Sequence, residues 1–477
     1  MPSKRMPIPF TGQESKGKNV FLNSEECINY YPEPLKGSII LRGCPGKIER
    51  VDINQGDGKP VRAQIESAGF AWAVCYDGLF RYDTNFNVTQ ITGSMQLDDP
   101  VFMIENGLQI GIFGGDRAYY YTHATDTLAE ITDSDFPGAS SATYQDGYAI
   151  VSRPSTNQFF LSDLNDFSSW DALEFGSAAW RSDNLVRVLS DHRDLWMFCE
   201  KSTQIFYNAG TGTPPFTNME GAEIESGCAA VNSVARGGSA VFWLGYDDEG
   251  SLAVMMSVGR QPRPISNVGI TEAIEGYTTT SDAIGFTYAE NNHVFYELTF
   301  PTEDITFVYD LTTNLWHRRS SIINNHAARN RISNHLFFNG KHMVGDYTNG
   351  KIYETSRDIY DEDGTVLIAQ RTAPAITNNQ DLITFNEIQI LFGPGTGLVT
   401  GNTEDTDPHA ILDWSDDGGE TYGNSLDLPI GKTGEYKNRA IEYRLGQARN
   451  RVFRIRMSAA VERDIFGAFA MVEVDTA

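Results

Sequence analysis

From about residue 64 to 358 the chain repeats one unit: an apolar strand, a tight turn, an aromatic-rich strand, a polar turn and a further short strand. One copy joins Phe70-Ala71-Trp72-Ala73-Val74 to Leu79-Phe80-Arg81-Tyr82 through Asp77-Gly78. The clearest joins His293-Val294-Phe295-Tyr296-Glu297-Leu298 to Phe307-Val308-Tyr309-Asp310 and then Leu315-Trp316. The apolar strands begin near 70, 110, 148, 195, 241, 294 and 336, in steps of about 40 to 50 residues. That is the period of a four-stranded propeller blade. A lone four-stranded sheet leaves both faces wet, whereas a ring of sheets covers each face with its neighbour. The spacing predicts an all-β fold with about seven propeller blades over 61–358. A β-sandwich with coincidental spacing is the competing reading.

The flanks read differently. Residues 1–60 are rich in turn formers such as Pro32, Pro34, Pro45 and Gly46, and are expected to be an irregular segment. From 359 to 477 the strands are longer and alternate with period two, as in Glu387-Ile388-Gln389-Ile390-Leu391-Phe392 and Val452-Phe453-Arg454-Ile455-Arg456-Met457. Period two marks one buried and one wet face, so a separate β-sandwich-like domain is expected there.

Charge and cysteine limit the function classes. The net charge of −26 argues against tight binding to phosphates, yet suits a surface past which DNA slides. Cys27, Cys44, Cys75, Cys199 and Cys228 are odd in number and widely spaced, with no CxxC. Buried free thiols in a protein assembled in a reducing cytosol are expected, with neither disulfide nor zinc. No run of about 18 apolar residues marks a membrane span, and the first residues lack the apolar core of an export signal.

Few motifs carry chemistry. Ser415, Asp417, Gly419, Thr421 and Tyr422 match the S-x-D-x-G-x-T-[WY] pattern of an Asp-box, a structural hairpin turn. Sialidases repeat that turn outside their catalytic groups, and a propeller glycoside hydrolase is therefore one alternative reading. Gly431-Lys432-Thr433 resembles the end of a phosphate loop, but Leu426 stands where the earlier glycine is required. A calcium loop over Asp358 to Gly364, with Asp361 and Asp363, fails because Ile359 occupies the first ligand position. No histidine pair has metal spacing, so no metal, cofactor or catalytic residue is expected. One basic strip stands out: Arg444, Arg449, Arg451, Arg454 and Arg456, with Arg439 before it. Against an acidic second copy it predicts a subunit interface, because the guanidinium fork binds carboxylates in two places.

The order of these features resembles a known family. Its parts are Tyr30-Tyr31-Pro32 with Leu41-Arg42-Gly43-Cys44-Pro45-Gly46, then Glu225-Ser226-Gly227-Cys228 before Val241-Phe242-Trp243, then the Asp-box, the arginine strip and a last strand near 469–474. Together they resemble the packaged-DNA stabilisation proteins, or tail hub and nozzle proteins, of short-tailed phages. The resemblance implies a structural virion protein with no enzymatic activity, assembled in the host cytoplasm. It implies a homo-oligomeric ring, usually a hexamer, below the portal and adaptor. It further implies a continued DNA channel, retention of packaged DNA, and docking of a needle or plug and of tailspikes or fibres. A receptor-binding tail or fibre protein is the nearest alternative.

Overall fold

The computed structural model describes residues 4–17, 24–35, 37–53, 58–247, 249–423 and 425–475. Six closed four-stranded antiparallel sheets form blades: 61–90, 102–130, 141–177, 185–218, 235–264, and a last one of 332–356 completed by Gly46–Asp52. This corrects the expectation of about seven blades. The sixth repeat, Ile284–Glu290 to Leu315–Ile323, lies in the ring between the fifth and last blades. It is no closed blade, because its outer strand continues by hydrogen bonding into an eleven-stranded sheet. The repeat's own residues look like any other copy, so its spacing hides this continuation.

Blade interiors explain the apolar runs. In Phe70–Cys75 every residue after Phe70 is buried, because a middle strand meets a neighbouring sheet on each face. Aromatic rings bridge blade to blade: Trp72 lies 4.5 Å from Tyr121, Phe198 5.3 Å from Trp243, and Phe242 stacks on Tyr296 at 4.8 Å. Such pairs add about 0.5–1.5 kcal/mol beyond their buried area. The hairpin at Asn291-Asn292 has φ of 49° and 67°, the left-handed pair that a two-residue turn needs. All five cysteines are buried and free.

The described part of residues 1–60, expected to be irregular, is largely paired strand. Lys4–Ile8 pairs with the last strand, from Lys4↔Val472 to Ile8↔Ala468. Tyr30–Leu35 and Ser38–Gly43 form a hairpin in that same seven-stranded sheet. Gly46–Asp52 is the outer strand of the last blade and closes the propeller ring. Glu26–Ile28 pairs in parallel with Leu315–Ile323 on one side and antiparallel with Ala369–Thr372 on the other. These strands are short and show no period to read, and apart from the hairpin of Tyr30–Leu35 with Ser38–Gly43 their partners lie hundreds of residues away.

The C-terminal sandwich therefore needs N-terminal strands. One sheet contains Ser38–Gly43, Ile465–Asp475, Leu382–Phe392 and Ala440–Tyr443. The other continues the eleven-stranded sheet through Ala369–Thr372, Asn450–Met457, His409–Ser415 and Leu426–Pro429. Phe10, Tyr30, Leu41, Phe385, Phe453 and Ile465 meet in the core between them.

The strap before Glu26 lies across the junction. Glu14 N donates to Trp316 O at 2.7 Å, Asn267 Nδ2 donates to Glu14 O at 2.8 Å, and Glu14 Oε2 accepts from Cys27 N at 2.7 Å. Burial pushes the Glu14 carboxyl up from 4.5 to about 7, with Arg318 opposing and Glu26 adding. A raised folded pKa means stability that is full below 4.5 and is lost as pH rises through about 7. Urea midpoints should therefore fall more steeply between those two pH values in the native protein than in Glu14→Gln. Parallel pH profiles for the two proteins would refute this assignment.

Candidate assembly surfaces

The Asp-box closes the hairpin between His409–Ser415 and Leu426–Pro429. Ser415 Oγ donates to Asp417 Oδ1 at 2.5 Å and accepts from Gly419 N at 2.8 Å. Asp417 Oδ1 accepts from Glu420 N at 3.1 Å and Thr421 N at 2.9 Å, and the Thr421 hydroxyl donates to Oδ2. Gly418 and Gly419 take φ of 86° and 107°, which a side chain would strain. The Ser415 and Thr421 donors hold the Asp417 carboxyl well below its usual 3.8. A depressed pKa means that the turn's contribution is present above 3.8 and is lost as pH falls through the folded value. A carbon-detected NMR titration should place the Asp417 midpoint below 3.8, and Thr421→Val should raise it. An ordinary midpoint in both proteins would contradict the geometry.

The arginine strip is not a free row of guanidinium groups. Arg451 is 2% exposed and grips Asp416 through Nε–Oδ1 at 2.6 Å and Nη2–Oδ2 at 2.8 Å. Its third contact donates to Leu445 O at 2.6 Å, and its plane lies 4.7 Å from the Phe385 ring. Arg454 forks onto Asp413 at 2.9 and 2.8 Å and covers the Tyr422 ring at 3.4 Å. Arg456 Nη2 reaches the same Asp413 Oδ2 at 2.9 Å. Arg451 and Arg454 thus have their forks occupied within the chain, and Arg456 shares the one Asp413 carboxylate with Arg454. Buried or half-buried bidentate pairs leave no fork for a second copy. Arg444, at φ 60°, and Arg449 are exposed, beside an exposed Tyr443. The cross-strand register Asp413↔Arg454 brings these charges together, and sequence spacing contains no register.

Several structural polar residues carry no motif at all. Arg371 is fully buried and donates to Phe10 O at 2.7 Å, Gln13 O at 3.0 Å and Glu26 O at 3.3 Å, clasping the strap to the sandwich. Lys47 pairs with Glu362 and donates to Asn330 Oδ1 at 2.8 Å, all three buried. Asn330 in turn donates to Glu297 at 2.6 Å, and Arg319 lies 3.8 Å from that carboxylate. These groups sit where the last blade, the sixth repeat and the sandwich meet. A polar cleft of about 380 Å³ opens at the same junction, lined by Glu290, Arg357, Glu462 and Arg463 among others. Burial raises the Glu290 and Glu462 carboxyls. Three histidines make hydrogen-bonded pairs, His293 with Asp310 at 2.7 Å and His335 with His342 at 3.0 Å. No group of three His, Cys, Asp or Glu fit to hold a metal ion occurs among the described residues.

Comparison with known proteins agrees with this two-part layout. The family model for the bacteriophage P22 Gp10 β-propeller matches residues 15–360, and that for the P22 Gp10 β-sandwich matches residues 369–473. No curated protein matches the chain. Among solved structures, the Neurospora crassa Pan2 WD40 domain is similar at 10% identity and a TM-score of 0.42, covering 65% of this chain and 94% of its own. The N-terminal domain of Nup159 is similar at 11% identity and a TM-score of 0.40, covering 73% of this chain and 98% of its own. YjhT is similar at 9% identity and a TM-score of 0.36, covering 55% of this chain and 99% of its own. The match to both Gp10 domains, in order and over most of the length, means that the chain belongs to the bacteriophage P22 Gp10 family and is a structural protein of a phage tail.

Proposed function

We propose that the protein is a tail hub, or nozzle, subunit. Copies form a homo-oligomeric ring, a hexamer, below the portal and adaptor. The ring continues the DNA channel, helps to retain packaged DNA, and docks a needle or plug and tailspikes or fibres. The protein acts sterically and mechanically, not as an enzyme, and is assembled in the host cytoplasm before it joins the virion. The observation that carries this reading is the eleven-stranded sheet running from the sixth repeat through Glu26–Ile28 into the sandwich. A shared sheet makes the two domains one stiff body, as a pressure-bearing ring needs. The charge of −26 supports passage of DNA without tight binding. No helix among the described residues is long and apolar enough to cross a membrane. Exposed Arg444, Arg449 and Tyr443 offer the ring contact that the inner arginines do not.

Electron microscopy of the protein mixed with its portal–adaptor complex tests this reading. A ring forms on the adaptor, and the pair Arg444→Glu, Arg449→Glu reduces its assembly. A monomer that ignores the adaptor but cleaves sialosides or other glycans would overturn the proposal.

A further inference from the structure

Three cavities join into one valley on a single face of the propeller. The face is the one where inner strands begin, formed by blade-to-blade connections and middle-strand turns. The axial cavity, about 480 Å³, shares Asp99, Pro100 and Val231 with a second of about 410 Å³. That one shares Val186 and Glu200 with a third of about 880 Å³, which opens between the fourth and fifth blades. The valley therefore runs from the propeller axis outward. Its apolar lining includes Val101, Val186, Val231 and Ile284.

The charges along the valley are unbalanced. Two of its arginines are already answered: Arg62 by Asp99 at 2.7 Å and Arg181 by Glu225 at 2.7 Å. Asp116, Glu200, Asp247, Glu249 and Asp282 line it without an ion pair, against Lys201 and Arg329. Arg329 is stacked on Tyr347 at 3.6 Å. In the wall of the axial mouth, Asp282 spends Oδ2 on Thr302, from N at 2.9 Å and Oγ1 at 2.7 Å. Its Oδ1 is buried and accepts no hydrogen bond. A buried carboxylate oxygen without a donor is costly, and a bound cation or N–H group relieves that cost.

We propose that this valley is a docking groove for an extended polypeptide segment of a partner protein, one that alternates apolar side chains with lysine or arginine. The apolar floor takes the first kind and the unanswered carboxylates take the second. Duplex DNA is a poor occupant because its phosphates meet the same carboxylates. An acidic segment is rejected for the same reason. The inference concerns the propeller face alone and does not depend on ring formation.

The test uses the full chain and fluorescein-labelled synthetic dodecapeptides in fluorescence anisotropy. The probe repeats Lys-Val-Lys-Leu. Its comparators repeat Glu-Val-Glu-Leu and Lys-Ser-Lys-Ser. The first should bind, and each comparator should bind at least about tenfold more weakly. Glu200→Lys with Asp247→Lys should cost a similar factor, with unchanged circular dichroism. Glu435→Lys with Glu442→Lys makes the same change of net charge on the sandwich and should leave binding as it was. Asp282→Asn separately reports on the axial mouth and should weaken the probe. Equal binding of the serine peptide, or equal losses from the two charge-reversal pairs, would reduce the effect to bulk attraction and overturn the proposal. No binding of the probe would overturn it as well.

Discussion

Lys47→Met lowers the unfolding free energy by about 3–5 kcal/mol, the cost of leaving a buried carboxylate without its partner. Lys47 and Glu362 are 3% and 4% exposed, so water cannot replace the missing charge. The pair also binds Ser321, whose Oγ donates to Glu362 at 2.9 Å and lies 3.3 Å from Lys47 Nζ. Lys47 belongs to the strand that closes the propeller, Glu362 to the segment that leaves the last blade, and Ser321 to the sixth repeat. Backbone contacts bring them close: Lys47 N donates to Asp361 O and Asp363 N donates to Lys47 O, both at 2.8 Å. The adjacent Gly46 has no room for a Cβ, which would lie 2.2 Å from Asp361 O. The double variant Lys47→Met, Glu362→Met should recover much of the loss, because two apolar side chains need no counter-charge. Urea unfolding followed by tryptophan fluorescence measures both. A double variant as unstable as the single one would mean that charge pairing is not what holds this junction.

Arg371→Met loosens the strap, with an expected loss of roughly 3 kcal/mol from several charge-assisted hydrogen bonds. Its guanidinium serves three backbone oxygens, and Glu25 lies 3.4 Å away. Methionine keeps the bulk and removes every donor. Hydrogen exchange should report the change where the strap is tied down. The amides of Glu14 and Ser15, now bonded to Trp316 O and Glu25 O, should lose protection ahead of the blade interiors. Gly12→Ala approaches the same point from the other side, since its Cβ would lie 2.8 Å from Arg371 Nη2. Unchanged exchange at Glu14 in Arg371→Met would show that the strap is held by packing of Phe10 instead.

What was legible beforehand follows the range of the interactions involved. Trp72, Phe198, Trp243 and Tyr296 stand out because a strand covered on both faces must be apolar along its length. The Asp-box was legible because its hydrogen bonds span only a few residues. The pairing within the arginine strip was not legible for the opposite reason. Asp413 and Asp416 lie some forty positions before Arg454 and Arg451, and only strand register makes them neighbours. Arg371, Lys47 and Glu297 carried no local signal, since buried ions stand out only once their surroundings are known.

By itself the sequence determined the all-β class, the repeated unit of the propeller and the sandwich that follows it, because side-chain alternation and turn chemistry are local properties. Tertiary structure alone decided how the ring closes, that residues 46–52 complete the last blade, and that the sixth repeat opens into the sandwich instead of closing. Those outcomes rest on backbone hydrogen bonds between distant strands, and every strand offers the same N–H and C=O groups. Which edges meet is settled by how the whole chain packs.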